Sequence, residues 1–258
     1  MSAIIDKANT LWWYLSRPHY SVQLIQLFRR FLNREKERTR FEATQWCQQV
    51  AIPMEEVLRK LGIDKIEYPW EVYPDYWREA ERRAKQVPVV MGGAGAVEFI
   101  FTATRAFKPT RLVETGVAYG WSTLAMLLGT LERESARVIS TDMPYPKMGN
   151  EPYVGYVIPE DLRERWILIR KPDILAVPKA IKHFGGTIDF AHYDSDKSYT
   201  GRMFTYPRLW KALRNDGILI SDDIQDNIAF KEFAQQTGVE PLVFEYKGKY
   251  VGVLRKER

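Results

Sequence analysis

The spacing of apolar residues changes once along the chain, near Gly92-Gly93. Before that point the period is helical. In "SVQLIQLFRRFL" the apolar positions are Val22, Leu24, Ile25, Leu27, Phe28 and Phe31, which predicts a helix. "FEATQWCQQVA" predicts a second. "PMEEVLRKLG" predicts a third, with Pro53 in its first turn and Gly62 as its stop. "PDYWREAERRAKQ" predicts a fourth, after the stiff aromatic linker "YPWEVYP". Beyond Gly93, "GAVEFIFTATRAF" reads as one more helix. Then β-rich runs alternate with helical segments: "RLVET", "RVIST", "WILIR", "IDFAHY" and "GILIS". Such alternation predicts a parallel sheet covered on both faces. The end breaks the pattern, because "PLVFEY" and "KYVGVL" flank Lys247-Gly248, a tight-hairpin signal. The last strand should therefore run antiparallel to its neighbour. The reading is a doubly wound α/β chain with a seven-stranded, mostly parallel sheet ending in an antiparallel hairpin. Residues 1–92 would form a helical lid, substrate or oligomerisation region, and 93–258 the sheet domain.

Bulk composition narrows this picture only a little. The chain has 258 residues, 45% of them hydrophobic, enough for one sizeable core with an appended subdomain. Its formal charge is +5, with acids interspersed among bases, so no nucleic-acid footprint is read. The run from Arg29 to Arg40 reads as a solvated helix face with local Glu–Lys and Glu–Arg pairs. Cys47 is the only cysteine, which excludes an intrachain disulfide and a cysteine zinc site. The start lacks the pattern of a signal peptide, and no apolar run has the length of a membrane span. A cytoplasmic protein is the expectation.

Candidate chemistry sits where strands end. "LVETGVAYGWST" follows the first strand and opens a helix, with Gly116 and Gly120 free to turn tightly and approach a ligand. Ser122 falls at the helix N-terminus, where hydroxyl and amide donors suit a carboxylate. The spacing G-x-x-x-G counts against a dinucleotide pyrophosphate and so against a nicotinamide dehydrogenase. "RVISTDMP" ends in Asp142, where an acid reaches ribose hydroxyls in such sheets.

"FAHYDSDKSY" poses a sharper problem, since a buried strand stops at Asp194 and is followed by Asp196 and Lys197. Asp222 and Asp223 end the next strand in "GILISDDIQDN", with one helix between the two strands. Neighbouring strands would bring Asp194, Asp222 and Asp223 together. Three crowded carboxylates raise one another's pKa values, and a hard cation removes that cost. All-oxygen donors favour Mg²⁺, Mn²⁺ or Ca²⁺ over zinc. Taken alone, each acid has a competing reading as a helix cap: Asp222 or Asp223 before Ile224, Asp196 before Lys197. Asn227 is an extra ligand or helix decoration, and His192 a strand residue facing a helix. Trp12, Trp13 and Tyr14 read as core or partner-facing.

These residues, in this order, resemble the class I S-adenosylmethionine-dependent methyltransferases. The run E-x-G-x-x-x-G-x-S from Glu114 to Ser122 is similar to that of the catechol O-methyltransferases. The pattern D-x-x-K-x-Y, a helix, then a strand ending D-D resembles the metal-dependent O-methyltransferases. Asp223 stands where the catechol and caffeoyl-CoA groups carry Asn, and there the chain resembles the natural-product sugar O-methyltransferases instead. The resemblance implies that Glu114, Gly116, Gly120 and Ser122 belong to the cofactor site, the last three contacting its methionine end. Asp142 would hold the ribose and Asp173 lie near the adenine. Lys197 takes the place of the catalytic lysine of catechol-type enzymes, and Asp196 that of the base in sugar-type enzymes. The implied activity is O-methylation of a saccharide or phenolic acceptor. Two alternatives remain beside it. One is a non-catalytic methyltransferase-like protein that binds a partner through the N-terminal helices, or a second copy of the chain. The other, ranked behind the lid reading, is contact with a membrane surface through "WWYLSRPHYSVQLIQLFRRFL".

Overall fold

The computed structural model describes residues 2–146 and 148–257. Among the described residues, seven α-helices come before the sheet domain: α1 (Ser2–Leu15), α2 (Pro18–Ser21), α3 (Gln23–Leu32), α4 (Arg40–Val50), α5 (Met54–Lys60), α6 (Pro69–Val72) and α7 (Pro74–Ala84). Then α8 (Val97–Phe107) leads into β1 (Arg111–Thr115), α9 (Trp121–Gly129), β2 (Arg137–Asp142) and β3 (Trp166–Arg170). The rest is α10 (Asp173–His183), β4 (Ile188–Tyr193), α11 (Tyr199–Ala212), β5 (Leu213–Ser221), α12 (Ala229–Thr237), β6 (Leu242–Tyr246) and β7 (Lys249–Arg255).

The seven strands order as β3-β2-β1-β4-β5-β7-β6. The first five are parallel, and β7 runs antiparallel to both β5 and β6. At the hairpin, Lys247 and Gly248 both take positive φ, +50° and +78°, the geometry that matches strand twist in a two-residue turn. All six residues of β4 are buried, which explains its near-continuous apolar run. Side chains alternate between two cores. Leu112, Val138 and Phe190 face the layer of α5, α7, α8 and α9. Val113, Ile139 and Ala191 face the layer of α10, α11 and α12.

Two details differ from the sequence expectation. The helix after Asp196 stops at Ala212, and "LRNDG" joins β5. There Asp216 and Gly217 exchange backbone hydrogen bonds with Lys256 (2.7 and 2.9 Å), so tertiary pairing outweighs helical continuation. The first ninety residues also distribute themselves unevenly. Val57 and Leu58 of α5 enter one main core and Cys47 of α4 the other. Trp13, Tyr14 and Tyr20 form a separate small cluster with Leu24, Leu27 and Met143. Only α1–α3 therefore stand apart from the two layers.

Strand order reverses between β1 and β4, and ligands of open α/β sheets bind at such a switch point. Register sets what meets there. Thr115 pairs with both Thr141 and Tyr193, and Tyr193 pairs with Ser221. The residues that follow, Gly116, Asp142, Asp194 and Asp222, thus emerge side by side.

Candidate functional site

A cavity of about 700 Å³ opens at this edge, within the ~300–1,000 Å³ of small-molecule clefts. Its floor is the turn after β1. Gly116 and Gly120 have φ of +82° and +98°, which only glycine adopts freely. Asp142 holds the turn: its Oδ2 accepts the amides of Val117 (2.9 Å) and Ala118 (3.3 Å). Burial nevertheless raises the Asp142 carboxyl to about 6.

Glu114 lies beneath the turn, fully buried. It accepts hydroxyls from Ser122 (2.6 Å), Thr123 (2.5 Å) and Ser140 (2.6 Å). Ser122 lines the cavity, but its hydroxyl proton goes to Glu114. Asp173 also lines the cavity, and both its oxygens already accept, from Thr141 (3.0 Å) and Ser195 (2.5 Å). Burial raises this carboxyl too, to about 6.

The other end of the cavity carries the acids of β4 and β5. The Lys197 ammonium bridges Asp194 and Asp223, the latter at 2.6 Å. Lys249 joins Asp223 from the hairpin at 3.0 Å. Burial would lower the pKa of Lys197, but Asp194 and Asp223 outweigh it and raise it, so Lys197 stays charged. Burial raises Asp194 to about 6, only partly offset by Lys197. Asp223 is lowered, because Lys197 and Lys249 overcome its burial. Its left-handed backbone, φ +54°, turns it toward both lysines. Asp222 Oδ1 is buried with no hydrogen-bond partner. Asn227 is used locally, donating to the Lys197 carbonyl (2.8 Å) and accepting the Ala229 amide (3.1 Å). Among the described residues, no three acid, His or Cys side chains stand together in an arrangement that would hold a metal.

Asp196 faces the same space from the start of α11. Its carboxylate receives Arg30 of α3 at 2.5 Å and the Ser198 amide at 2.9 Å. The approach to α11 is so close that a Cβ on Gly201 would fall 2.3 Å from the Asp196 carboxyl carbon.

Three features escaped sequence reading. His192 is fully buried, with Nδ1 3.5 Å from Glu114 and Nε2 3.5 Å from Asp222. Burial would lower its pKa, but Asp222 and Glu114 prevail and raise it to about 10, and the ring lies between the two acids at ion-pair rather than hydrogen-bond distance. Its place in β4 carried a weak signal, a basic residue inside an apolar strand. Besides this, Tyr14, Gln26 and Arg30 of α1 and α3 line the cavity, and the lid expectation for residues 1–92 named none of them. Finally, the charge run after Arg29 is not internally paired as expected. Arg30 reaches Asp196, Lys36 reaches Glu232, and Arg40 reaches Asp226 (3.3 Å). Glu37 accepts the amides of Tyr199 (2.7 Å) and Thr200 (3.0 Å). The amides of α11 that the Ser198 cap leaves over, and the acids around them, attract these side chains more than one another.

Comparison with known proteins follows the geometry. No curated protein matches the chain. Residues 113–224 match a family model described as a methyltransferase domain, and that span holds the glycine turn and Glu114, Asp142, Asp173, Asp194, Asp196, Asp222 and Asp223. Among solved structures, the cofactor-bound protein Rv0187 from MTB superposes with a TM-score of 0.51 at 17% identity, over 74% of this chain and 92% of that one. The Podospora anserina methyltransferase PaMTH1, bound to S-adenosylhomocysteine, gives 0.51 at 17% identity, over 71% and 88%. The O-methyltransferase TomG from Streptomyces achromogenes, in complex with S-adenosylmethionine, gives 0.52 at 11% identity, over 70% and 89%. At such identities the likeness shows the fold alone. The chain has the fold of these methyltransferases, and its residues 113–224 match the methyltransferase-domain family.

Proposed function

We propose that the chain transfers the methyl group of S-adenosylmethionine to a hydroxyl of a saccharide or phenolic small molecule, assisted by a divalent cation. One observation carries the reading: a single cavity joins the glycine turn and Asp142 to the Asp194–Asp196–Lys197–Asp222–Asp223 cluster. The first part suits the cofactor. Backbone rather than side chain forms the floor at Gly116, while Gly120 lies off the cavity against Gly155 and Ile158, and the Asp142 Oδ1 oxygen is the acceptor we assign to a ribose hydroxyl. The second part suits the acceptor hydroxyl.

In the transfer, an oxygen–methyl bond forms as the sulfur–methyl bond breaks, and the sulfonium becomes a thioether. The hydroxyl proton needs a base. Lys197 is held as an ammonium by Asp194 and Asp223, so it has no lone pair for that proton. We assign the role to Asp196, oriented by Arg30 and the Ser198 amide. Lys197 then serves by its positive charge, which favours an acceptor oxygen that is losing its proton. Tyr14, Gln26 and Arg30 would shape the acceptor side, making α1–α3 the lid.

The donor set suits a hard cation in its chemistry, although the side chains as they stand are not arranged to hold one. Asp194, Asp222 and Asp223 are all-oxygen ligands, and the unpartnered Asp222 Oδ1 is an atom such an ion would satisfy. Lys197 stands between two of them and would have to swing aside. Bound there, the cation would lower the pKa of the acceptor hydroxyl.

Calorimetry with S-adenosylhomocysteine tests the reading, with and without Mg²⁺, on wild type and Asp222→Ala. Cofactor binding is expected in both proteins, with Mg²⁺ binding in wild type only. No cofactor binding under any condition would sink the transferase reading. Cofactor binding without any metal binding would remove the cation and leave the Lys197 ammonium as the positive charge beside the acceptor.

A further inference from the structure

The outer faces of α1 and α3 carry large apolar side chains that are left exposed. Leu11, Trp12 and Leu15 are exposed on α1, Trp12 by 71%. Phe28, Phe31 and Leu32 are exposed on α3 by 63%, 67% and 66%, and Ile25 lies beside them at 49%. Helical geometry sorts the faces of α3. At about 100° per residue, Gln23, Gln26 and Arg30 share one side, and Ile25, Phe28 and Leu32 the opposite side. The glutamines and Arg30 line the cavity. The apolar set faces outward. Beneath the patch, Trp13 and Tyr20 stack with ring centroids 5.5 Å apart, and Leu24 and Leu27 pack against them. The helices already have an apolar seam, so the outward face is a surplus. Scattered exposed apolar residues are ordinary, but seven large ones on two helices that share one small core mark an interaction surface.

Charge selects the occupant. From residue 8 to residue 34 the sequence carries four arginines, 17, 29, 30 and 34, and no acid. Arg30 is committed to Asp196, and Arg17 lies over the Trp13 ring at 4.7 Å. Arg29 and Arg34 are exposed at the edge of the patch. A second copy docked on this face about a two-fold axis would present the same stretch, which from residue 8 to residue 34 carries no acid to pair with these arginines. An anionic bilayer accommodates both halves of the pattern. Its acyl boundary takes Trp, Phe and Leu, and its headgroups take Arg. No helix among the described residues is long and apolar enough to cross a membrane, so the contact would lie along the surface.

We propose that α1 and α3 dock the protein on an anionic lipid bilayer, with Trp12, Phe28, Phe31 and Leu32 in the headgroup boundary and Arg29 and Arg34 on the phosphates. The opposite side of α3 holds Asp196 through Arg30 and roofs the cavity. Docking would therefore bring the acceptor side of the site next to the bilayer.

Vesicle flotation of the 258-residue chain tests this. The vesicles are phosphatidylcholine alone, or phosphatidylcholine mixed with phosphatidylglycerol. The variants are Phe28→Ser/Phe31→Ser and Arg29→Glu/Arg34→Glu, each checked for an unchanged melting temperature and circular dichroism. Wild type is expected to float with the anionic vesicles, and at least about tenfold less with the neutral ones. Either double variant should lose roughly tenfold or more of the anionic binding. Absence of flotation with anionic vesicles overturns the proposal, and so does equal binding by all three proteins. A wild-type dimer in light scattering that Phe28→Ser/Phe31→Ser converts to monomer, without vesicle binding, assigns the patch to a second copy instead.

Discussion

A methyl group on the α-carbon of Gly116 would stand 2.3 Å from the carbonyl oxygen of Asp194. The glycine thus lets the end of β4 press against the turn after β1. That contact puts the glycine turn beside the acid cluster.

Gly116→Ala should therefore cost both the backbone strain of φ +82° and a clash with main chain that cannot rotate away. The expected outcome is a lowered melting temperature and a loss of S-adenosylhomocysteine affinity of about 100-fold or more, roughly 3 kcal/mol. Gly185→Ala is the comparison. It has a similar φ of +67° but nothing within 4 Å of the new methyl, so it should cost only the ~1–2 kcal/mol of left-handed strain. Calorimetry should find its cofactor affinity unchanged.

Asp142 ties the same turn by two amide hydrogen bonds. Asp142→Ala removes the anchor and the ribose acceptor together. Cofactor affinity should fall by about 10- to 100-fold, in line with ~1.5–3 kcal/mol for hydrogen bonds to a charged group. A fall of less than about twofold in calorimetry would mean that the carboxylate neither holds the turn nor meets the ribose.

Asp196 and Lys197 should separate in kinetics once an acceptor is in hand. Asp196→Asn removes the base and should lower kcat by about 10²–10⁴, with little change in cofactor affinity. Lys197→Met leaves a base but strips the charge that balances Asp194 and Asp223, so it should retain more turnover than Asp196→Asn. The reverse order would assign the proton to Lys197. Gly201→Ala should mimic Asp196→Asn, because the added methyl overlaps the Asp196 carboxylate.

Asp189 offers a test of stability remote from the site. It is buried, and it accepts from Arg111 (2.6 Å), Arg214 (2.9 Å) and the amides of Thr110 and Arg111 (both 2.9 Å). Burial would raise its pKa, but these donors prevail and lower it to about 2. The folded value lies below the ~3.9 of an unfolded aspartate, so the contribution is complete above about pH 4 and lost as pH falls toward 2. Asp189→Asn should cost roughly 2–3 kcal/mol near neutrality, less than the ~3–5 of a fully buried pair because both arginines are partly exposed. In urea unfolding, the gap from wild type should close as the pH is lowered through that window.

Sequence alone determined the layers of this protein and which carboxylates stand at the sheet edge. Strand–helix alternation, the Lys247-Gly248 turn and the abrupt acids at 142, 194 and 222 are local signals. Each is written in a few consecutive residues by hydrophobic period or turn stereochemistry, so none needs the fold to be seen. Tertiary structure decided how those residues are employed. It set Arg30 on Asp196 across 166 positions and placed His192 between Glu114 and Asp222. It spent the Ser122 hydroxyl on Glu114 and held Lys197 charged between two carboxylates. It also sent α4 and α5 into the sheet's cores and left α1–α3 over the cavity with an apolar face to spare. A charge or hydroxyl takes the nearest complementary partner in space. That partner is chosen by strand register and helix docking, which no short stretch of sequence contains.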